Sequence, residues 1–328
     1  MSNVNLKISE KAIFANAFLC ELRAFTPNAR FQKLAFISLL LCAFLFTNCK
    51  SEIRKAQVNS PSHEVTDDLG RRVKIPEAIE RAVSLAPNLT EIVFAIGAGN
   101  KLVGVTSYCN YPIEAQKIQK VGDTLNPNIE NIIALKPQIV LVSTASQIET
   151  FTKTLEQQDI TVFVTNPNSL EDIYKSIYQT GEIFGKKEKS QEVVDDLKKR
   201  VADIEARTNT AKDIKVFLQI SNEPLFTIGK ESFLTDLIAR AGGVSITETV
   251  ATAYPKISKE TAFALQPEAI ILSDSEDNRE PNEIFKNSPA VKNGNVFKIN
   301  ADLLSRPSPR IVDALEQIAR DLHPKTFD

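Results

Sequence analysis

Two α/β lobes with mainly parallel central sheets, joined by one long α-helix and leaving a ligand cleft between them, are the fold this sequence predicts. Three observations carry that reading. Short apolar runs alternate with helix-patterned segments from Ala82 onward. A charged amphipathic stretch without glycine or proline interrupts the alternation at 187–208. The alternation then resumes, and the second half repeats the first.

The apolar runs Ala82–Ala86, Leu102–Val105, Ile139–Val142 and Thr161–Val164 read as buried strands of a first lobe. Between the first two, Leu89 to Ile96 has helical spacing and stops at Gly97. Upstream, Val65 to Val73 reads as a short hairpin turning at Asp67-Asp68-Leu69-Gly70. In 187–208, Val193, Val194, Leu197, Val201 and Ile204 recur at helical spacing amid charges, which predicts the linker helix. The second lobe follows: runs Val216–Ile220, Ala269–Leu272 and Val296–Ile299, a helix from Phe233 ended by Gly242-Gly243, and a last helix from about Ser308 to Leu322. Glu130 to Leu141 matches Glu260 to Ile271 at an offset of 130, with Glu, Leu and Pro in register, and Thr90…Gly97 matches Thr235…Gly242 at an offset of 145. The expected organisation is a signal segment at 1–48, a tether at 49–64, an N-terminal lobe at 65–186, the linker helix at 187–213 and a C-terminal lobe at 214–328.

The N-terminus has its own chemistry. Arg30 and Lys33 precede fourteen uncharged residues from Leu34 to Thr47. That run is short for a bilayer, which takes about 20 residues, and suits the apolar core of a secretory signal. Cys49 follows at once, so the segment resembles a lipoprotein signal and Cys49 is the expected lipidation site, with membrane attachment through that lipid. Residues 50–62 are polar and read as a tether. Removing the five basic and two acidic residues of 1–48 leaves 34 basic against 39 acidic residues, a net charge of −5. No basic patch for nucleic acid is expected. Cys109 is the one cysteine left in the folded part, which excludes a disulfide framework. His63 and His323 have no ligand partner at metal spacing, so no metal site is expected. The sequence has no G-x-S-x-G, P-loop or H-E-x-x-H motif, so no catalytic residue is assigned.

Val103 to Pro112, Asn128 through Pro137, Phe217 to Ser232 and Arg306-Pro-Ser-Pro-Arg310-Ile311 are the stretches through which the chain resembles a known family. From about Val65 to its end it is similar to the helix-linked class of ABC-transporter substrate-binding proteins, and within that class to the corrinoid-binding branch. Tyr108 with Tyr111-Pro112, and Asp302 four residues before Arg306, carry the likeness to that branch. The resemblance implies an extracytoplasmic monomer, anchored by lipid, that holds cobalamin or a related corrinoid between its lobes and delivers it to an ABC permease and its ATPase. The corrinoid would be cargo, and no cofactor is implied. A ferric siderophore or haem is the alternative cargo; a structural or adhesive surface lipoprotein is the alternative from another class.

By the same resemblance, Tyr108 is the aromatic of the N-terminal lobe, and Tyr254 and Phe226 are those of the C-terminal lobe. Asp302 and Arg306 are the polar pair that meets the corrin side chains. Glu130 and Glu260 dock on arginines of the permease; as acids at helix starts they also favour the helix dipole. Flat aromatics suit a corrin because they bury its apolar faces, at about 25 cal/mol per Å². The chain departs from the pattern at Thr124 and Ser143, where the resemblance places tryptophans. Cys109 is expected to be a small, partly buried side chain.

Overall fold

The computed structural model describes residues 62–143 and 148–328. The signal segment, most of the tether and Cys49 lie outside these residues. The tether ends earlier than expected: β1 (Ser62–Thr66) already pairs antiparallel with β2 (Arg72–Pro76), from Ser62 opposite Pro76. The hairpin turn is organised by Asp67, whose carboxylate accepts from the Leu69 and Arg71 backbone N–H groups and from Arg71 Nε. Such self-bonding by Asp is what favours it in turns.

Each lobe contains a four-stranded parallel sheet. The first is built from β3 (Ala82–Ser84), β4 (Leu102–Val105), β5 (Ile139–Ser143) and β6 (Thr161–Thr165), in the order β4-β3-β5-β6. The second uses β7 (Ile214–Gln219), β8 (Gly243–Ser245), β9 (Ala269–Asp274) and β10 (Val296–Asn300), in the order β8-β7-β9-β10. The two orders are the same topology. The helices of the first lobe are α1 (Pro87–Ala95), α2 (Ile129–Ala134), α3 (Ile148–Glu156) and α4 (Leu170–Ile183). The linker is α5 (Lys187–Thr208). The second lobe has α6 (Phe233–Arg240), α7 (Lys259–Leu265), α8 (Pro289–Lys292), α9 (Ala301–Ser305) and α10 (Ile311–Leu322).

The internal repeat extends to backbone conformation. Helices α2 and α7 end at Lys136 (φ 48°) and Gln266 (φ 45°), each directly before the proline that leads into β5 or β9. A non-glycine residue with positive φ is uncommon, so its recurrence at the 130-residue offset marks two copies of one unit. Gly97 (φ 73°) and Gly242 (φ 78°) end α1 and α6 in the same way. The glycine pair that ends the helix from Phe233 also opens the short strand β8, Gly243–Ser245, which the sequence pattern does not predict. Three residues beginning with glycine carry too little apolar pattern to announce a strand.

Strand alternation sorts the core into three layers. Val140, Val142, Val162 and Val164 pack on the outer face of the first sheet. Phe217, Ile270 and Leu272 do so for the second. Alternate residues from both sheets, among them Ile139, Leu141, Phe163, Val216, Leu218 and Ile271, enter one continuous core with Val194, Leu197, Val201 and Ile204 of α5. Val193 is only half-buried at the edge of that core. The lobes are thus joined by shared packing as well as by a helix. Arg200 of α5 adds ion pairs to Asp313 (2.7 Å) and Glu316 (3.4 Å) of α10.

Candidate functional site

In open α/β sheets ligands bind beyond the carboxyl ends of the strands, where the strand order reverses. Both sheets present those ends to one cleft of about 540 Å³. From the first lobe it is lined by Ala86, Pro87 and Asn88 after β3, Tyr108 after β4, Ser143 at the end of β5, and Asn166 to Asn168 after β6. From the second lobe come Glu231 and Phe233, Ala253 and Tyr254, Asp302, and Ser305 to Pro307. Thr124 also lines it, so both positions where the resemblance places tryptophans are wall residues with small polar side chains here.

Tyr108 and Tyr254 reach the cleft from opposite lobes and keep 60% and 46% of their surface exposed, so apolar area is available on both walls. Burial raises the Tyr254 phenol above its ordinary pKa, with a hydrogen bond to Ser232 acting the other way. Tyr108 is aimed by its neighbour: Cys109 is buried, not partly exposed, and its Sγ lies 3.2 Å from the hydroxyls of both Thr90 and Thr106. Phe226 is a correction. It does not line the cleft; its backbone bridges to Ser221 and Lys256 and its side chain is half-buried. The aromatic of that segment that does line the cleft is Phe233, the buried first residue of α6.

Asp302 and Arg306 do line the cleft, but their chemistry differs from the expected ligand-facing pair. Arg306 Nη1 donates to Glu91 Oε1 (3.0 Å) and Asn110 Oδ1 (2.7 Å). Its Nη2 donates to the Tyr108 carbonyl (3.3 Å) and pairs with Asp302 Oδ1 (2.7 Å). A guanidinium has five N–H donors, so only Nε–H is left over. Asp302 Oδ2 accepts from Asn110 Nδ2 at 3.0 Å, and its carboxylate keeps spare acceptor capacity. Arg306 is therefore a strut between lobes, and Asp302 with Asn110 is the part able to meet ligand amides.

The strut ends on Glu91 of α1, an acid that sequence patterning did not single out. Its side chain is 2% exposed and accepts from Arg306, from Ser308 Oγ (2.6 Å) and from Arg310 Nε (2.9 Å) and Nη2 (2.5 Å). Arg310 also lies over the Tyr111 ring, 3.8 Å from its centroid. Burial opposes the Arg310 charge, but the hydrogen bond and charge of Glu91, with the charges of Tyr111 and Asp302, together hold the Arg310 pKa above its usual value. The signal available in the sequence was two arginines four residues apart beside Ser308, which present three donors in one direction and so call for a buried acid.

Glu130 and Glu260 are exposed and are not part of the cleft wall. Each is the second residue of its helix, behind a side-chain cap: Asn128 accepts from Asn131 N–H (2.9 Å) and Ser258 from Thr261 N–H (3.1 Å). The Glu260 carboxyl is held below its usual range by its own backbone N–H and the Ser258 hydroxyl. Among the described residues no cluster of His, Cys, Asp and Glu could hold a metal ion, and no helix is long and apolar enough to cross a membrane.

Comparison with known proteins gives a consistent set. A family profile described as periplasmic binding protein matches residues 83–303. The ABC transporter substrate-binding lipoprotein YvrC of Bacillus subtilis is 33% identical over 307 residues, covering 88% of this chain and 96% of that protein. The vitamin B12-binding protein of Vibrio parahaemolyticus is 30% identical over 246 residues, 74% of this chain and 89% of that one. Among solved structures, the periplasmic vitamin B12 binding protein BtuF of Vibrio cholerae superposes with a TM-score of 0.66 at 30% identity, covering 76% of this chain and 98% of that chain. A periplasmic heme binding protein from Pseudomonas aeruginosa reaches 0.68 at 24% identity, covering 75% and 94%, and shares the fold.

Proposed function

Because this chain belongs to the periplasmic binding protein family, we propose that it is the extracytoplasmic solute-binding lipoprotein of an ABC importer, and that its solute is cobalamin or a related corrinoid. It acts as a monomer, held to a membrane by lipid on Cys49, and passes its cargo to the permease and ATPase. The family is one of solute-binding proteins and not of enzymes. The observation that carries the reading is the pair of half-exposed tyrosines lining one cleft from opposite lobes, together with Phe233 and with Asp302, whose carboxylate accepts from Asn110. A corrin is a broad apolar disc rimmed by amides. In this reading Tyr108 and Tyr254 cover its faces, and the Asn110–Asp302 pair exchanges hydrogen bonds with its rim. The cobalt brings its own ring nitrogens, so the protein need not supply a metal ligand.

Calorimetric titration tests this directly. Cyanocobalamin should bind with a dissociation constant of about 1 μM or tighter, equivalent to about −8 kcal/mol. Saturation by haem or a ferric siderophore, with no heat from cobalamin, would transfer the site to that cargo and leave the family assignment in place. The anchor has a separate test: Cys49→Ala should leave the precursor unprocessed or release the protein from the membrane fraction. Unchanged partition and mobility of the variant would exclude lipidation at that thiol.

A further inference from the structure

The first helix meets the cleft without a cap. Its N-cap residue is Ala86, which has no side-chain acceptor, and its first turn carries no acid. Pro87 has no N–H, and among the described residues no acceptor meets the N–H groups of Asn88 or Leu89. Ala86, Pro87 and Asn88 all belong to the cleft wall. The Asn88 side chain is itself only 5% exposed, yet its Nδ2 has no hydrogen-bond partner. Buried donors are nearly always paired with an acceptor. Three donor groups without acceptors therefore lie at the positive end of a helix dipole, beside the switch point between β3 and β5.

The repeat supplies an internal contrast. Helix α6 occupies the matching place in the second lobe, and there Ser232 caps it by accepting from Leu234 N–H at 3.3 Å, with Asp236 in its first turn. The charges around the cleft add direction. Glu231 and Asp302 lie on the second-lobe side, and Arg306 is the only basic residue among the described lining residues. Arg306's terminal nitrogens are already committed to protein acceptors, whereas the start of α1 is positive potential not yet matched by an acceptor.

We propose that the first turn of α1, together with the Asn88 carboxamide, is a subsite for an anionic oxygen of the ligand, a phosphate or carboxylate oxygen. The inference rests on the cleft being the ligand site but not on the ligand being a corrinoid. It fits a corrinoid that carries its nucleotide loop through the phosphodiester, and it fits haem through a carboxylate. The flat body of either would lie between Tyr108 and Tyr254 while the anion sits at the N-terminal lobe, away from Glu231 and Asp302.

The test begins without any assumed cargo. Inorganic phosphate is titrated into the full-length protein in chloride-free buffer, and backbone and side-chain amides are followed by nitrogen–proton correlation spectra. The Asn88 and Leu89 N–H signals and the Asn88 side-chain NH₂ should shift and saturate. In Asn88→Asp the saturable shift should vanish, while the thermal midpoint holds or rises, because an acid in the first turn suits the helix dipole. No saturable shift in the wild type overturns the subsite. Matched ligands then identify the source of the anion. Asn88→Asp should weaken cyanocobalamin about tenfold more than cobinamide, which lacks the phosphodiester, or haem about tenfold more than its dimethyl ester. Equal weakening of both members of a pair would make Asn88 mere wall and overturn the proposal. Saturable phosphate shifts with selective loss for haem alone would sustain the subsite and sink the corrinoid reading.

Discussion

Replacing Glu91 by alanine should destabilise the protein by about 3–5 kcal/mol, the usual cost of removing one partner from a buried ion cluster. Four hydrogen bonds from Arg306, Ser308 and Arg310 end on that carboxylate, and without it two guanidiniums sit at the lobe junction with no buried counter-charge. For a chain of this size the thermal midpoint should fall by about 5–9 °C. A fall of less than about 3 °C would mean that water reaches the junction and replaces the acid. The same variant bears on mechanics. Shared core packing and the Glu91 cluster both resist hinge motion, so wild-type scattering curves with and without saturating ligand should nearly superimpose. Glu91→Ala should raise the ligand-free radius of gyration, since the cluster is a polar tie between the lobes. A large ligand-induced contraction of the wild type would contradict the stiff junction. Glu91→Gln is the milder control: it preserves shape but turns an NH₂ towards arginine donors, and should fall between the two.

The double variant Glu130→Ala with Glu260→Ala should lose uptake by about tenfold or more in cells that depend on the transporter, each single variant losing less, because the two contacts share one docking event. The proposed partner is a permease with a basic pocket on each half. The two acids stand at equivalent places in repeated units, each exposed behind a capped helix start, as such a two-fold partner requires. Charge complementarity of this kind acts mainly on encounter and orientation. Ligand affinity should stay unchanged in calorimetry, because neither residue lines the cleft. Normal uptake by the double variant would return both glutamates to a purely local role, favouring the dipoles of α2 and α7.

The departures from expectation have a common physical origin. Phe226 and Phe233 are seven residues apart on either side of a turn, and only the path of that turn decides which ring enters the cleft. Cys109 is buried because the fold carries its loop onto the shared apolar core, where its thiol also meets the hydroxyls of Thr90 and Thr106. Arg306 carries a chemistry compatible with ligand recognition, and its commitment to Glu91 comes from a partner 215 residues away.

What the sequence by itself determined is the set of properties that depend on near neighbours. Alternation of apolar residues specified the strands, helical spacing specified α5, and the fixed offset of Glu, Leu and Pro specified two copies of one unit with exposed acids at matching helix starts. The tertiary structure alone decided which polar side chains hold the lobes together and which remain open to a ligand. A buried charge must be matched by whatever donors the fold brings within about 3 Å, and the donors for Glu91 come from the opposite lobe, where no local pattern records them.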